Sequence, residues 1–314
     1  MPRSFLAAAN GDTMTLQDRH SAASHGPPAP FIVGVGRSGT TLLRLMLDAH
    51  PELAIPSETH FLPTLLAEAA GADRALFFRT LTGSETWPNM ALGTEELEQA
   101  LDAVEPFSPA EGLRAFYRLY ARRLGKTRWG DKSPPYRRHM ATIQRALPEA
   151  HFVHMIRDGR DVALSYRGLW FGPGDDIEAQ ARFWVDEIGR ARRQATDLRH
   201  YAELRYEDLV ADPEASLRRL CQDLDLAFDP AMLAYHRASA ERLAETKSAF
   251  GPAGSTPRDL DAFLAIHERV SRPPDAGRIG RWRSEMPPEQ QRLYEAIAGP
   301  LLAELGYETR FRTA

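Results

Sequence analysis

Phe31 to Pro51, FIVGVGRSGTTLLRLMLDAHP, sets glycines, hydroxyls and one cation between two apolar runs. The spacing fits the phosphate-binding pattern G-x-x-x-x-G-K-[ST] at Gly34, Gly39 and Thr41, with Thr40 where the lysine belongs. Glycines permit a tight turn there, and the free N–H groups at the start of the following helix bind an anion. Thr40 and Thr41 add hydroxyl donors and Arg37 adds charge, so the candidate contacts run Arg37, Ser38, Gly39, Thr40, Thr41 and Leu42. The lysine of the pattern reaches the β- and γ-phosphates, so its absence argues against triphosphate chemistry and for one phosphate in the loop. The plainer alternative is a Gly-Ser turn that only joins strand to helix.

Three further stretches carry reactive side chains. In RDGRDVALSY, Arg157 ends an apolar run, at the carboxyl edge where parallel α/β sheets bind ligands. Asp158 can cap the next helix, and Ser165 lies two turns further along, so a guanidinium and a hydroxyl can converge on one phosphate. Arg160 reads as a surface or salt-bridging residue. WGDKSPPY supplies Lys132, one of few lysines, with an exposed lysine paired to Asp131 as the alternative. SETHF offers Glu58 and His60, although Ser57 could simply cap a helix with an acidic first turn.

GRSGTTLL after one apolar strand and RDGRDVALSY after another resemble the sulfotransferases that use 3′-phosphoadenosine 5′-phosphosulfate (PAPS). The resemblance implies that the first motif holds the 5′-phosphosulfate and that Arg157 and Ser165 contact the 3′-phosphate. PAPS has no γ-phosphate, which accounts for the missing lysine. Lys132 matches the lysine that tyrosylprotein sulfotransferases place before a proline-containing turn, implying stabilisation of the leaving phosphate. Glu58 falls on their glutamate base and Thr59 on the threonine after it. His60 stands where they have arginine, a departure, and histidine is the base of many cytosolic sulfotransferases. Tyr206 in RYEDLVADP matches a tyrosine near the adenine, with a core aromatic as its alternative. GRIGRWR resembles a late basic loop over the phosphates, nominating Arg278 and Arg281, with a solvated basic turn as the alternative.

The implied reaction is in-line transfer of a sulfuryl group from PAPS to a hydroxyl on a tyrosine, phenol, sugar or other small molecule. Adenosine 3′,5′-bisphosphate is the product and no metal is needed. A small-molecule phosphotransferase and a non-catalytic nucleotide-binding module are the other readings.

These residues need a scaffold of strands alternating with helices. FIVGV, TRWGDK, AHFVHMIR and YAELRY read as strands, the second as a short strand ending in a turn. YRRHMATIQRALP, RDGRDVALSY, IEAQARFWVDEIGRARRQATDL, ASLRRLCQDLDL and PPEQQRLYEAIAGPLLAELGY read as helices. Such alternation predicts a three-layer α/β fold with a P-loop-type parallel sheet flanked by helices. Residues 61–124, mainly helical, form an inserted cap. Residues 1–30 read as a disordered leader before a single domain, 31–314. FGPAGSTPRD, Phe250 to Asp259, reads as a candidate lid.

Composition agrees with a globular enzyme: of 314 residues 43% are apolar and 26% charged, with a formal net charge of -4. That charge gives no global attraction to nucleic acid. Cys221, the sole cysteine, excludes an internal disulfide and reads as a buried structural thiol. No apolar run approaches the roughly 18 residues of a membrane span, and FLAAA near the start is too short for a signal-peptide core. The sequence expectation is therefore a cytoplasmic enzyme acting on a small-molecule or peptide acceptor, with a homodimer compatible with the chain.

Overall fold

The computed structural model describes residues 26–68, 73–169, 171–246 and 268–311. The chain runs from β1 (Ala29–Gly34) through a glycine-rich loop into α1 (Thr40–Asp48), and β2 (Leu53–Ala54) leads to the cap. The cap helices are α2 (Leu62–Glu68), α3 (Arg74–Thr82), α4 (Thr94–Asp102) and α5 (Pro109–Arg123). Then come β3 (Arg128–Trp129), β4 (Asp131–Lys132), α6 (Met140–Ala146), β5 (Ala150–Ile156), α7 (Gly159–Tyr166), α8 (Ile177–Ala195) and β6 (Tyr201–Arg205). Helices α9 (Tyr206–Ala211), α10 (Pro213–Asp223), α11 (Ser239–Ala244), α12 (Trp282–Glu285) and α13 (Pro288–Glu304) close the series.

The main sheet has the order β4-β1-β5-β6, with every pairing parallel. Strand β1 is central and buried along its whole length, which its apolar, β-branched sequence permits. Its side chains alternate between two cores. Phe31 and Val33 pack with Phe152, the cap and α6, whereas Ile32 packs with Val153, Leu204, α1 and α10. A third cluster joins Val35 and Ile156 to α7, α8 and α13. The result is the expected three-layer α/β fold of P-loop type. No helix among the described residues is long and apolar enough to cross a membrane.

Several local expectations need correction. Ala29 and Pro30 are not leader: they are buried strand residues in register with Ala150 and His151. Pro30 is tolerated because it stands near the strand start, where its missing N–H costs little. TRWGDK is not a short strand ending in a turn but two short strands. Gly130 splits it, β3 pairing with β2 in a separate two-stranded sheet and β4 with β1. A Cβ at Gly130 would lie 2.6 Å from the carbonyl oxygen of Pro30, so the change of sheet requires glycine. YRRHMATIQRALP is a 3-10 turn, Pro134–Arg138, followed by α6, because the paired prolines start a tighter turn. Residues 1–25 and the candidate lid at Phe250 to Asp259 lie outside the described residues.

Candidate active site

The glycine-rich loop, Arg157 and Tyr206 follow the carboxyl ends of β1, β5 and β6, Lys132 ends β4, and Ser165 and Arg278 come from a helix and a later turn. The loop after β1 turns through left-handed backbone at Arg37 (φ 71°) and Gly39 (φ 92°) before α1 begins. No side chain caps α1, and Gly39 accepts the first backbone bond, from Leu43. The leading N–H groups of Thr40, Thr41 and Leu42 therefore precede the helical ladder. Leu42 packs its side chain into the core, so only its amide is on offer. The Ser38 hydroxyl is buried and has no hydrogen-bond partner.

The second motif folds against this loop. Asp158 caps α7 by accepting from the Arg160 amide. Arg157 Nη1 donates to the Arg37 carbonyl at 3.1 Å and Nη2 to the Arg278 carbonyl at 2.9 Å. Its guanidinium lies 4.4 Å from the ring centroid of Tyr206, and its Nε is buried without a partner. Arg37 Nε in turn donates to Ser165 Oγ at 3.1 Å. Arg37, Arg157, Ser165, Tyr206 and Arg278 are thus brought together, although they span more than 200 residues of chain. Arg281 is held by Glu285, one helical turn away.

Two residues that the motifs did not nominate fasten this half of the site. Asp161 accepts from the Gly280 and Trp282 amides at 2.7 and 2.9 Å, which ties the late basic loop to α7. Arg160 is not at the surface. It is fully buried, paired with Asp158 at 2.8 Å and Glu295 at 2.5 Å, and lies 3.4 Å from the Trp282 ring centroid. The cause is α13, which packs over α7 and supplies Glu295.

Across the loop stand the ionisable groups. Lys132 Nζ donates to Glu58 Oε1 at 2.7 Å, and His60 Nε2 contacts Glu58 Oε2 at 2.6 Å. Lys132 is buried, whereas the Glu58 and His60 side chains are 29% and 36% exposed. Lys132 does not pair with Asp131, because neighbouring strand residues point to opposite faces. Nor does Ser57 start a helix: α2 begins at Leu62, after His60 adopts a left-handed φ of 60°. Burial would raise the Glu58 carboxyl, but the Lys132 ammonium and His60 outweigh it and hold it far below the usual carboxylate range. For Lys132 burial prevails over the pull of Glu58 and lowers its pKa.

Among the described residues no group of three or more His, Cys, Asp or Glu could hold a metal ion. Cys221 is buried 3.8 Å from the Met232 sulfur, and burial pushes its thiol up to about 11, so it is structural.

A parallel α/β sheet with a glycine-rich loop between its central strand and α1 defines the P-loop-type fold class. The model of the sulfotransferase family matches residues 28–230, and the chain belongs to that family. A Caenorhabditis briggsae protein described as a putative protein-tyrosine sulfotransferase is 33% identical over 66% of this chain and 68% of its own. Human protein-tyrosine sulfotransferase 1 is 26% identical over 90% of this chain and 70% of its own. Among solved structures, the sulfotransferase domain from the curacin biosynthetic pathway superposes with a TM-score of 0.57 at 19% identity. That match covers 91% of this chain and 100% of the domain. The protein is a sulfotransferase that moves a sulfuryl group to an acceptor hydroxyl.

Proposed function

We propose that the sulfuryl donor is PAPS and that the acceptor is a phenolic hydroxyl, on a tyrosine in a peptide or on a small molecule. The observation that carries this reading is the 2.7 Å pair between Lys132, on the strand beside β1, and Glu58, in the loop after β2. The names of the tyrosine-sulfating relatives support the acceptor class. The site suits such a donor: the buried Ser38 hydroxyl and Arg157 Nε lack partners, and the first amides of α1 face the loop. In this reading Arg37, Ser38, Gly39, Thr40, Thr41 and Leu42 hold the 5′ end of the nucleotide. Arg157, Ser165 and Arg278 hold the 3′-phosphate, and Tyr206 lies by the adenine.

PAPS supplies an activated sulfuryl group whose departure leaves negative charge on a phosphate oxygen. Glu58 takes the proton of the acceptor hydroxyl, and the Lys132 ammonium stabilises the charge on the leaving side. One ammonium serves both purposes. Any shift of Lys132 from Glu58 toward the leaving phosphate weakens its hold on the carboxylate. That raises the basicity of Glu58, the direction that proton abstraction requires.

Calorimetric titration with adenosine 3′,5′-bisphosphate and with AMP tests the donor assignment. The bisphosphate binds much more tightly, because charge-assisted bonds to its second phosphate contribute about 1.5–3 kcal/mol each. Arg157→Ala narrows the gap. Equal affinities for the two nucleotides in the unaltered protein would overturn it.

A further inference from the structure

Behind Glu58 and Lys132 lies a buried polar cluster to which the proposed function assigns no role. Thr59 is fully buried, yet both of its neighbours in sequence line the site. Its hydroxyl donates to Asp131 Oδ2 at 2.7 Å. A hydroxyl has one hydrogen and two lone pairs, so its other contacts, Ser133 Oγ at 3.2 Å and Tyr136 OH at 2.8 Å, must donate to it. The Thr59 amide donates to Ser133 Oγ at 3.0 Å, and the Thr59 carbonyl accepts from Thr86 Oγ1. Tyr117 OH, from α5, donates to the same Asp131 oxygen at 2.8 Å. Every bonding position of Thr59 is in use.

The placement follows from the pleat. Asp131 is in register with Phe31 and shares its face of the sheet, toward the cap, whereas Lys132 is in register with Ile32 and faces α1. Asp131 and Ser133 flank Lys132, and both hold Thr59, which flanks Glu58. Two chain segments that cross at the site are therefore joined on their buried side and present their ionisable groups on the other.

We infer that Thr59 and Asp131 form a clasp that fixes Glu58 against Lys132 and ties that pair to the cap through Tyr117 and Thr86. They are positioning residues for proton abstraction, an assignment that rests on the function proposed above. The clasp acts on geometry: displacement of a reacting group by about 1 Å costs on the order of 10²-fold in rate.

Thr59→Val keeps the shape and removes the hydroxyl. Turnover of PAPS with a tyrosyl peptide, adenosine 3′,5′-bisphosphate affinity by calorimetry, and thermal unfolding are followed together. The expected result is a kcat lowered by about 10–10²-fold with bisphosphate affinity within about twofold. The acid limb of the kcat profile also moves to higher pH, because a looser Lys132 contact lets the Glu58 pKa rise. Thr59→Ser restores all three readings. A folded Thr59→Val protein with unchanged kcat and an unmoved acid limb overturns the clasp, as does a loss of kcat matched by an equal loss of affinity. If Thr59→Val does not fold, Ser133→Ala decides: it keeps the Thr59–Asp131 bond and shows a smaller loss of the same pattern, or refutes the inference by showing none. Absence of turnover in the unaltered protein would instead strike the proposed function, and the clasp with it.

Discussion

Glu58 is contacted on both oxygens, by Lys132 and by His60, and the consequences of removing each differ. Glu58→Gln keeps the shape but cannot take a proton, so kcat falls by about 10²–10⁴ while bisphosphate affinity stays. The loss shrinks with an acidic phenol, which needs less help with its proton. His60→Asn is mild in comparison; if it cripples turnover while Glu58→Gln does not, His60 is the base. Lys132→Ala lowers kcat far more than nucleotide affinity, because its charge is needed most in the transition state. Steady-state kinetics beside calorimetry separate these cases.

The loop between β1 and α1 and the helix α7 are the elements on which the proposed anion site rests, and each has a position at which substitution is costly. Gly39 has a φ of 92°, and a Cβ there would stand 2.5 Å from Tyr206 Cδ2. Gly39→Ala therefore strains the left-handed turn by about 1–2 kcal/mol. It also displaces Tyr206 from beneath Arg157, so bisphosphate affinity falls with stability. Arg160 anchors α7 to α13 with no solvent access. Arg160→Leu leaves Asp158 and Glu295 buried without their cation and lowers the unfolding free energy by about 3–5 kcal/mol, read by denaturant titration.

At the scale of the whole molecule, stability depends on pH through two histidines of the central sheet, His154 buried and His151 half-buried. His154 on β5 is wholly buried, its Nδ1 2.6 Å from Tyr201 OH and its Nε2 without a partner. Burial pushes it down to about 4, against the pull of Glu203, and pushes His151, stacked on His200, down to about 3. The unfolded chain takes up these protons near pH 6.5 and the folded chain does not, so stability is complete above that pH and falls as pH drops. The fall for His154 ends near pH 4, where the folded protein protonates too, and amounts to about 3 kcal/mol. His154→Phe flattens part of this slope in unfolding measured from pH 7 to 4; an unchanged slope would remove His154 as its source.

Most of the order of strands and helices, the glycine-rich turn after β1 and the turn into α7 were legible in the sequence because each is local. Glycine spacing, a β-branched run and a helix start lie within about 20 residues of one another, and alternation of strand and helix restricts the topology. The side chains of Glu58 and Lys132 could be named, but not their contact, since it depends on a loop after β2 meeting a strand more than 70 residues later. Thr59 was legible only as a match to a family threonine and Asp131 only as an alternative partner for Lys132; their contact with each other comes from a face of the sheet that only pairing with β1 defines. Arg160 read as a surface or salt-bridging residue; the second holds, because α13 closes over it with Glu295. Gly130 switched the chain from one sheet to the other because Pro30 stands against it, a contact of residues 100 positions apart. Local pattern thus set which chemistry the chain carries, and tertiary packing decided which charges meet, because burial and pairing are properties of neighbours in space.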